Sequence, residues 1–253
     1  MRKHIILSLA IAVATTSFGA NLASDNASNP PYSDGWQSGD NGGTGFSAWT
    51  IATGGGGFSG AFIGDPAAAG IGGMSPQSFG LYANPEAGNP FVNADRGLTG
   101  GGLSVGQTFS FQWGANWDSN GTGNKGFNLY VGGVSGTQVV NVNMGGFPGI
   151  ITFNGNNTGF TYGTNVMTWS FTMMDPTTLG VLATPRNPSD PNFTTNITVS
   201  AGIDAFRLYA SSLDLGDQRQ PYFNNFEVVP EPSTIALGLI GLAAIAARRF
   251  RKA

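Results

Sequence analysis

Oxygen-bearing side chains come first, because this chain has little else with which to do chemistry. The stretch "DSNGTGN" sets Asp118, Asn120 and Asn124 in a loop with glycines. Carboxylate and amide oxygens around a glycine turn are the hard ligands that calcium takes, although the terminal bidentate Glu of an EF-hand loop is missing. Asp, Asn and Gly are also ordinary turn formers. A second stretch, "SLDLGDQRQPYFNN", carries Asp214, Asp217, Asn224 and Asn225. Calcium held at either place would be structural, and no other cofactor is expected.

Paired carboxylates could instead cleave a glycoside. Only Glu86 and Glu227 are glutamates of the body, and its aspartates are scattered through turn-like stretches. Composition closes the other routes. The one histidine, His4, sits in the N-terminal segment, and there is no cysteine. The body therefore holds no Ser-His-Asp triad, imidazole base, thiolate nucleophile or His/Cys zinc site. The glycine run at 54–57 lacks the Lys-[Ser/Thr] that completes a phosphate-binding loop. A non-enzymatic protein is the expectation. The alternative is a carbohydrate-binding module that stacks sugars on exposed rings, with Trp113, Trp117 and Tyr130 as candidates. A glycan-active enzyme is the least favoured reading.

The elements that must position these groups are strands. In "TFSFQW", Phe109, Phe111 and Trp113 share one face and Thr108, Ser110 and Gln112 the other. The same alternation aligns Phe127, Leu129 and Val131; Val140, Val142 and Met144; and Met167, Trp169, Phe171 and Met173. Period two is the signature of a strand with one buried face. Gly- and Asn-rich stretches separate these runs, where turns belong. Gly is 40 of 253 residues, yet 18 Phe, 5 Trp and 6 Tyr argue against disorder. The aromatics between residues 33 and 84 (Trp36, Phe46, Trp49, Phe58, Phe62, Phe79 and Tyr82) read as core anchors between glycine turns. The fold class is all-β: a single antiparallel two-sheet sandwich, jelly-roll-like, over residues 33–229. Residues 21–32 read as an exposed mature N-terminal segment.

The two ends differ from the body. Residues 1–20 have Arg2 and Lys3, a short apolar run from Ile5 to Val13, and small residues up to Ala20. That is the layout of a secretory signal peptide, forming an N-terminal signal helix. Residues 230–253 open with Pro230-Glu231-Pro232, continue through an uncharged run from Ile235 to Ala247, and end with Arg248, Arg249, Arg251 and Lys252. The prolines stop the preceding strand. From Ser233 to Ala247 a helix would reach about 22 Å against a hydrocarbon core of roughly 30 Å, a short transmembrane helix. Its basic end would stay on the cytoplasmic side. With both ends set aside, five basic residues face thirteen acidic ones. An acidic body without a basic cluster excludes nucleic acid as a partner.

The sequence V-P-E-P-S-T, a short apolar run and an Arg-rich end resembles the PEP-CTERM sorting signal of Gram-negative bacteria. The resemblance implies that Pro230, Glu231 and Pro232 are the sorting motif. Ile235, Leu237, Leu239, Ile240, Leu242 and Ile245 then belong to the membrane segment, and Arg248, Arg249, Arg251 and Lys252 are retention charges. It further implies an exosortase-type partner, transient anchoring in the inner membrane, and delivery to the cell surface or extracellular matrix, with exopolysaccharide and biofilm as the setting. The body, through "DGWQSGDNGGTGFSAWTI", "FIGD", "SFGLYAN", "LSVGQTFSFQW" and "YFNNFEV", resembles secreted proteins that carry this tail; that resemblance implies a β-sandwich and no particular activity.

Overall fold

The computed structural model describes residues 21–85, 88–117, 123–145 and 149–230. The expected signal helix, the membrane segment and its flanking charges, Glu231, Pro232, Glu86, Asp118 and Asn120 lie outside the described residues. No helix among the described residues is long and apolar enough to cross a membrane.

Among the described residues fifteen strands follow in chain order, and every ladder between them is antiparallel. They are β1 (Ala23–Asp25), β2 (Thr50–Gly54), β3 (Phe58–Gly64), β4 (Ser78–Asn84), β5 (Phe91–Gly97), β6 (Gln107–Gly114), β7 (Asn124–Val131) and β8 (Thr137–Gly145). Next come β9 (Ile150–Phe153), β10 (Asn156–Asn157), β11 (Met167–Asp175), β12 (Thr178–Ala183), β13 (Phe193–Thr198), β14 (Ala205–Ser211) and β15 (Tyr222–Pro230). Short 3-10 turns at Pro30–Tyr32, Pro66–Ala69 and Asp217–Arg219 are the helical content among the described residues. One sheet has the order β13-β12-β11-β6-β15-β4-β3, with β1 also on β15; the other runs β10-β9-β8-β7-β14-β5-β2.

The period-two residues build the core between the sheets. Phe109, Phe111, Trp113, Phe127, Leu129, Val140, Val142, Met144, Met167, Trp169, Phe171 and Met173 are all buried, while Val131 is half-buried against them. Edge-to-face contact between Phe111 and Phe127, with ring centroids 4.7 Å apart, joins β6 of one sheet to β7 of the other. Trp36, Phe46, Trp49 and Phe79 fill the same core; Phe62 and Tyr82 are half-buried, and Phe58 is exposed.

The stretch 21–32, expected to be exposed, is instead partly interior. Its residues 23–25 pair with β15 (Ala23 opposite Val228, Asp25 opposite Phe226), and Ala23, Asp25, Ala27 and Tyr32 are buried. Its polar composition concealed this, because Asp25 is buried by pairing rather than by apolarity. The loop that crosses it must pass very close. A Cβ on Gly43 would lie 2.0 Å from the Ser24 carbonyl oxygen, so only glycine fits.

Candidate functional site: two polar faces of the sandwich

Alternation that sends apolar residues inward sends the others outward, and on the seven-stranded sheet the outward set is a mosaic of amides and phenols. Asn141 on β8, Asn128 on β7, Arg207 on β14 and Asp95 on β5 stand opposite one another in one row across four adjacent strands. The neighbouring row holds Asn143, Gly126, Tyr209 and Asn93. Side chains on a solvated sheet face would ordinarily be exposed. Here Asn128 and Gly126 are buried, as is Tyr130 farther along β7, and the other residues of the two rows are half-buried.

These groups hold one another. Asn141 Nδ2 donates to Asn128 Oδ1 at 2.7 Å and to the Tyr209 hydroxyl at 3.3 Å. That hydroxyl lies 2.9 Å from Asn143 Oδ1 and 3.0 Å from the Val142 carbonyl oxygen, either of which can take its proton. Burial pushes the Tyr209 phenol well above its ordinary range, with the bond from Asn141 opposing the shift. Tyr209 reaches this position because residue 126 is glycine. A Cβ there would lie 2.0 Å from the Val142 carbonyl oxygen and 3.0 Å from the Tyr209 hydroxyl. Asn128 Nδ2 donates to the Tyr130 hydroxyl at 3.2 Å. Arg207 makes a bidentate pair with Asp95 at 2.6 and 2.7 Å, and these bonds raise the guanidinium above its ordinary value. The Asn93 amide makes no hydrogen bond to any described residue.

The second polar face is a cleft of about 470 Å³ outside the eight-stranded sheet, where β1 meets β15. A bulge shapes it. Asn224 lies opposite Gln112, but the next partner, Ser110, faces Glu227, and Asn225 takes up the extra length with a φ of 53°. Asn225 Nδ2 donates to Gln112 Oε1 at 2.8 Å, and Asn26 Nδ2 donates to Asn225 Oδ1. Glu227 accepts from Ser110 Oγ at 3.2 Å and from Asn21 Nδ2 at 3.3 Å.

Asp25 also lines this cleft, so two carboxylates approach it, but they are not a catalytic couple. Asp25 and Glu227 stand on adjacent paired strands one position out of register (Ser24 faces Glu227), which sends them to opposite faces. The Asp25 side chain is fully removed from solvent and is taken up by Arg96, the Tyr32 hydroxyl and Asn29 Nδ2. It has no access to a substrate.

The residues singled out for stacking are placed differently from expectation. Trp113 is entirely in the core and Tyr130 is 5% exposed, so neither offers a ring face to solvent. Trp117 is half-buried, and the Arg219 guanidinium lies 3.5 Å from its ring centroid. Trp113 shares the inward face of β6 with Phe109 and Phe111, Trp117 lies beyond the end of β6, and Tyr130, on the outward face of β7, is covered all the same. Of the calcium candidates, Asn124 opens β7 and its Oδ1 accepts from Asn143 Nδ2 at 2.9 Å. Asp214 faces Arg219 at 3.9 Å, whereas Asn224 Oδ1 accepts from the Ala27 and Asn225 backbone N–H groups. Among the described residues no three His, Cys, Asp or Glu side chains converge as metal ligands. What the sequence reading passed over is the outward set of β5, β7, β8 and β14. The signal was present as Asn, Tyr, Arg and Asp at alternate positions of "VNADR", "FNLYV", "VNVNM" and "FRLYA".

Comparison with known proteins gives distant structural likenesses and one specific motif. No curated protein matches the chain. Among solved structures it is similar to the globular domain of T. cruzi calreticulin (8% identity, 76% of this chain and 87% of that one, TM-score 0.44). It is also similar to the carbohydrate esterase vb_24B_21 of the Shiga toxin-encoding bacteriophage phi24B (11%, 84% and 99%, TM-score 0.46). A third is the Ca²⁺/Man3GlcNAc-bound exoplasmic/lumenal domain of VIP36 (9%, 72% and 84%, TM-score 0.38). The segment that begins within β15 is the specific match: residues 228–252 carry a PEP-CTERM protein-sorting motif.

Proposed function

We propose that this is an exported surface or extracellular-matrix protein of a Gram-negative bacterium, delivered through its C-terminal signal, and that its sandwich does no covalent chemistry. The observation that carries this reading is the sorting motif at residues 228–252. Pro230-Glu231-Pro232 would be recognised by an exosortase-type enzyme while the apolar run from Ile235 to Ala247 rests in the inner membrane and Arg248, Arg249, Arg251 and Lys252 hold it there. Support for a non-catalytic role is the lack of an imidazole or a thiol in the body, and the placing of Asp25 and Glu227 on opposite faces of their paired strands. The test is localisation in the native host. The full chain is expected at the cell surface or in the matrix, and a chain ending at Val229 elsewhere. Identical distribution of the two would reject the reading.

The mosaic on the seven-stranded sheet favours a second, compatible role as a carbohydrate-binding module within the exopolysaccharide. Its amides and phenols match hydroxyl groups in hydrogen-bonding character.

A further inference from the structure

We infer that the outer face of the seven-stranded sheet, centred on Tyr209 and Asn93, is a binding site for an uncharged polysaccharide chain. The inference deepens the carbohydrate-binding reading and rests on it. Three observations carry it. The charged groups of the two rows, Arg207 and Asp95, neutralise each other in a bidentate pair, so the face presents polar groups without net charge. An anionic polymer would find no free cation there, and a basic partner no free anion. Next, the mosaic is preorganised: Asn128, Asn141, Asn143 and Tyr209 are locked by bonds to one another, so little side-chain freedom remains to be lost on binding. Finally, hydrogen-bonding capacity is left over. Asn141 spends both amide hydrogens within the network while its Oδ1 accepts from no described residue, and the half-buried Asn93 amide is unpartnered among them. A side-chain amide carries two donors and an acceptor, the complement of neighbouring sugar hydroxyls.

The geometry also sets the shape of the ligand. Four adjacent strands spaced about 4.8 Å apart give a strip about 14 Å across, perpendicular to the strands. A strip of that form suits a stretch of an extended chain better than a single monosaccharide. The cleft beside β15 is the weaker candidate, because Glu227 gives it a carboxylate and Asn26, Asn225 and Gln112 are taken up with one another.

The test is affinity gel electrophoresis of the purified full-length chain, in mild detergent, through gels containing dextran, laminarin or glucomannan as neutral probes and alginate or hyaluronan as anionic ones. Retardation is expected in at least one neutral gel and in neither anionic gel. Asn93→Ala, which removes no internal hydrogen bond, is expected to weaken binding by about fivefold to tenfold without changing Tm. Tyr209→Phe is expected to weaken it similarly, and Gln112→Ala in the cleft to leave it unchanged. Binding to a neutral polymer that both mosaic variants retain in full would overturn this site and leave the carbohydrate reading standing. Retardation by anionic polymers alone would overturn the ligand class. Failure to bind any of the five would overturn both the site and the carbohydrate reading.

Discussion

Asp25 on the first strand of the eight-stranded sheet forms an ion pair with Arg96 on β5 of the seven-stranded sheet, and both side chains are wholly removed from solvent. The guanidinium lies between the rings of Phe46 and Trp49, 4.9 and 4.8 Å from their centroids, and donates to the Ser47 carbonyl oxygen and Asn41 Oδ1, each at 2.6 Å. A buried pair whose remaining donors are satisfied holds its partners in one arrangement, and removing either member strands the other.

Asp25→Leu and Arg96→Met are therefore each expected to destabilise the fold by about 3–5 kcal/mol. Asp25→Leu combined with Arg96→Met should lose less than the two single changes together, since neither charge is then left alone. Urea unfolding of the four proteins measures this. Strict additivity would show that the pair is not the joint between the sheets.

Gly126→Ala tests the packing beneath Tyr209. The added carbon would meet the Val142 carbonyl oxygen at 2.0 Å, and backbone cannot yield as a side chain can. The expected outcome is a loss of about 1–3 kcal/mol from overpacking. Unchanged stability would mean that β7 and β8 do not lie this close.

Alkaline pH should unfold the protein through its phenols. Burial pushes Tyr32 up to about 12, helped by the hydrogen bond to Asp25, and burial pushes Tyr222 up to about 12 and Tyr209 higher still. Their folded values lie above the ordinary value of about 10, so the folded state holds these protons more tightly. Their contribution is complete below pH of about 10 and is lost as pH rises through about 12. Phenolate absorbance should therefore show a late group of tyrosines that ionises with unfolding. A single early step for all six tyrosines, with the fold intact, would contradict the burial of these three.

Replacing Pro230, Glu231 and Pro232 together by alanine is expected to leave the sandwich intact and to retain the protein in the inner-membrane fraction. Fractionation of the native host and immunoblotting report this. Surface delivery at the level of the unaltered chain would show that these three residues are not what is recognised.

Alternation made the inward face legible: Phe109, Phe111 and Trp113, or Met167, Trp169, Phe171 and Met173, could be placed in the core from spacing alone. The edges of the reading failed where burial is not apolar. Asp25 and Arg96 are interior because they find each other across 71 positions, a separation that no local pattern carries. The mosaic was hidden for the same reason. Asn93, Asn128, Asn141 and Tyr209 look like any solvated alternation until β5 and β14, distant in sequence, join the β7-β8 pair and set them side by side.

β15 is the strand from which the sorting segment continues, and it is not an edge. β6 flanks it along one side, from Tyr222 to Pro230, while β4 and then β1 flank the other. A pull on the chain beyond Pro230 acts along this strand, so the ladder bonds on both sides share the load in shear and cannot be broken singly. The sorting motif thus begins on a strand that is hydrogen-bonded on both sides rather than on a peelable edge.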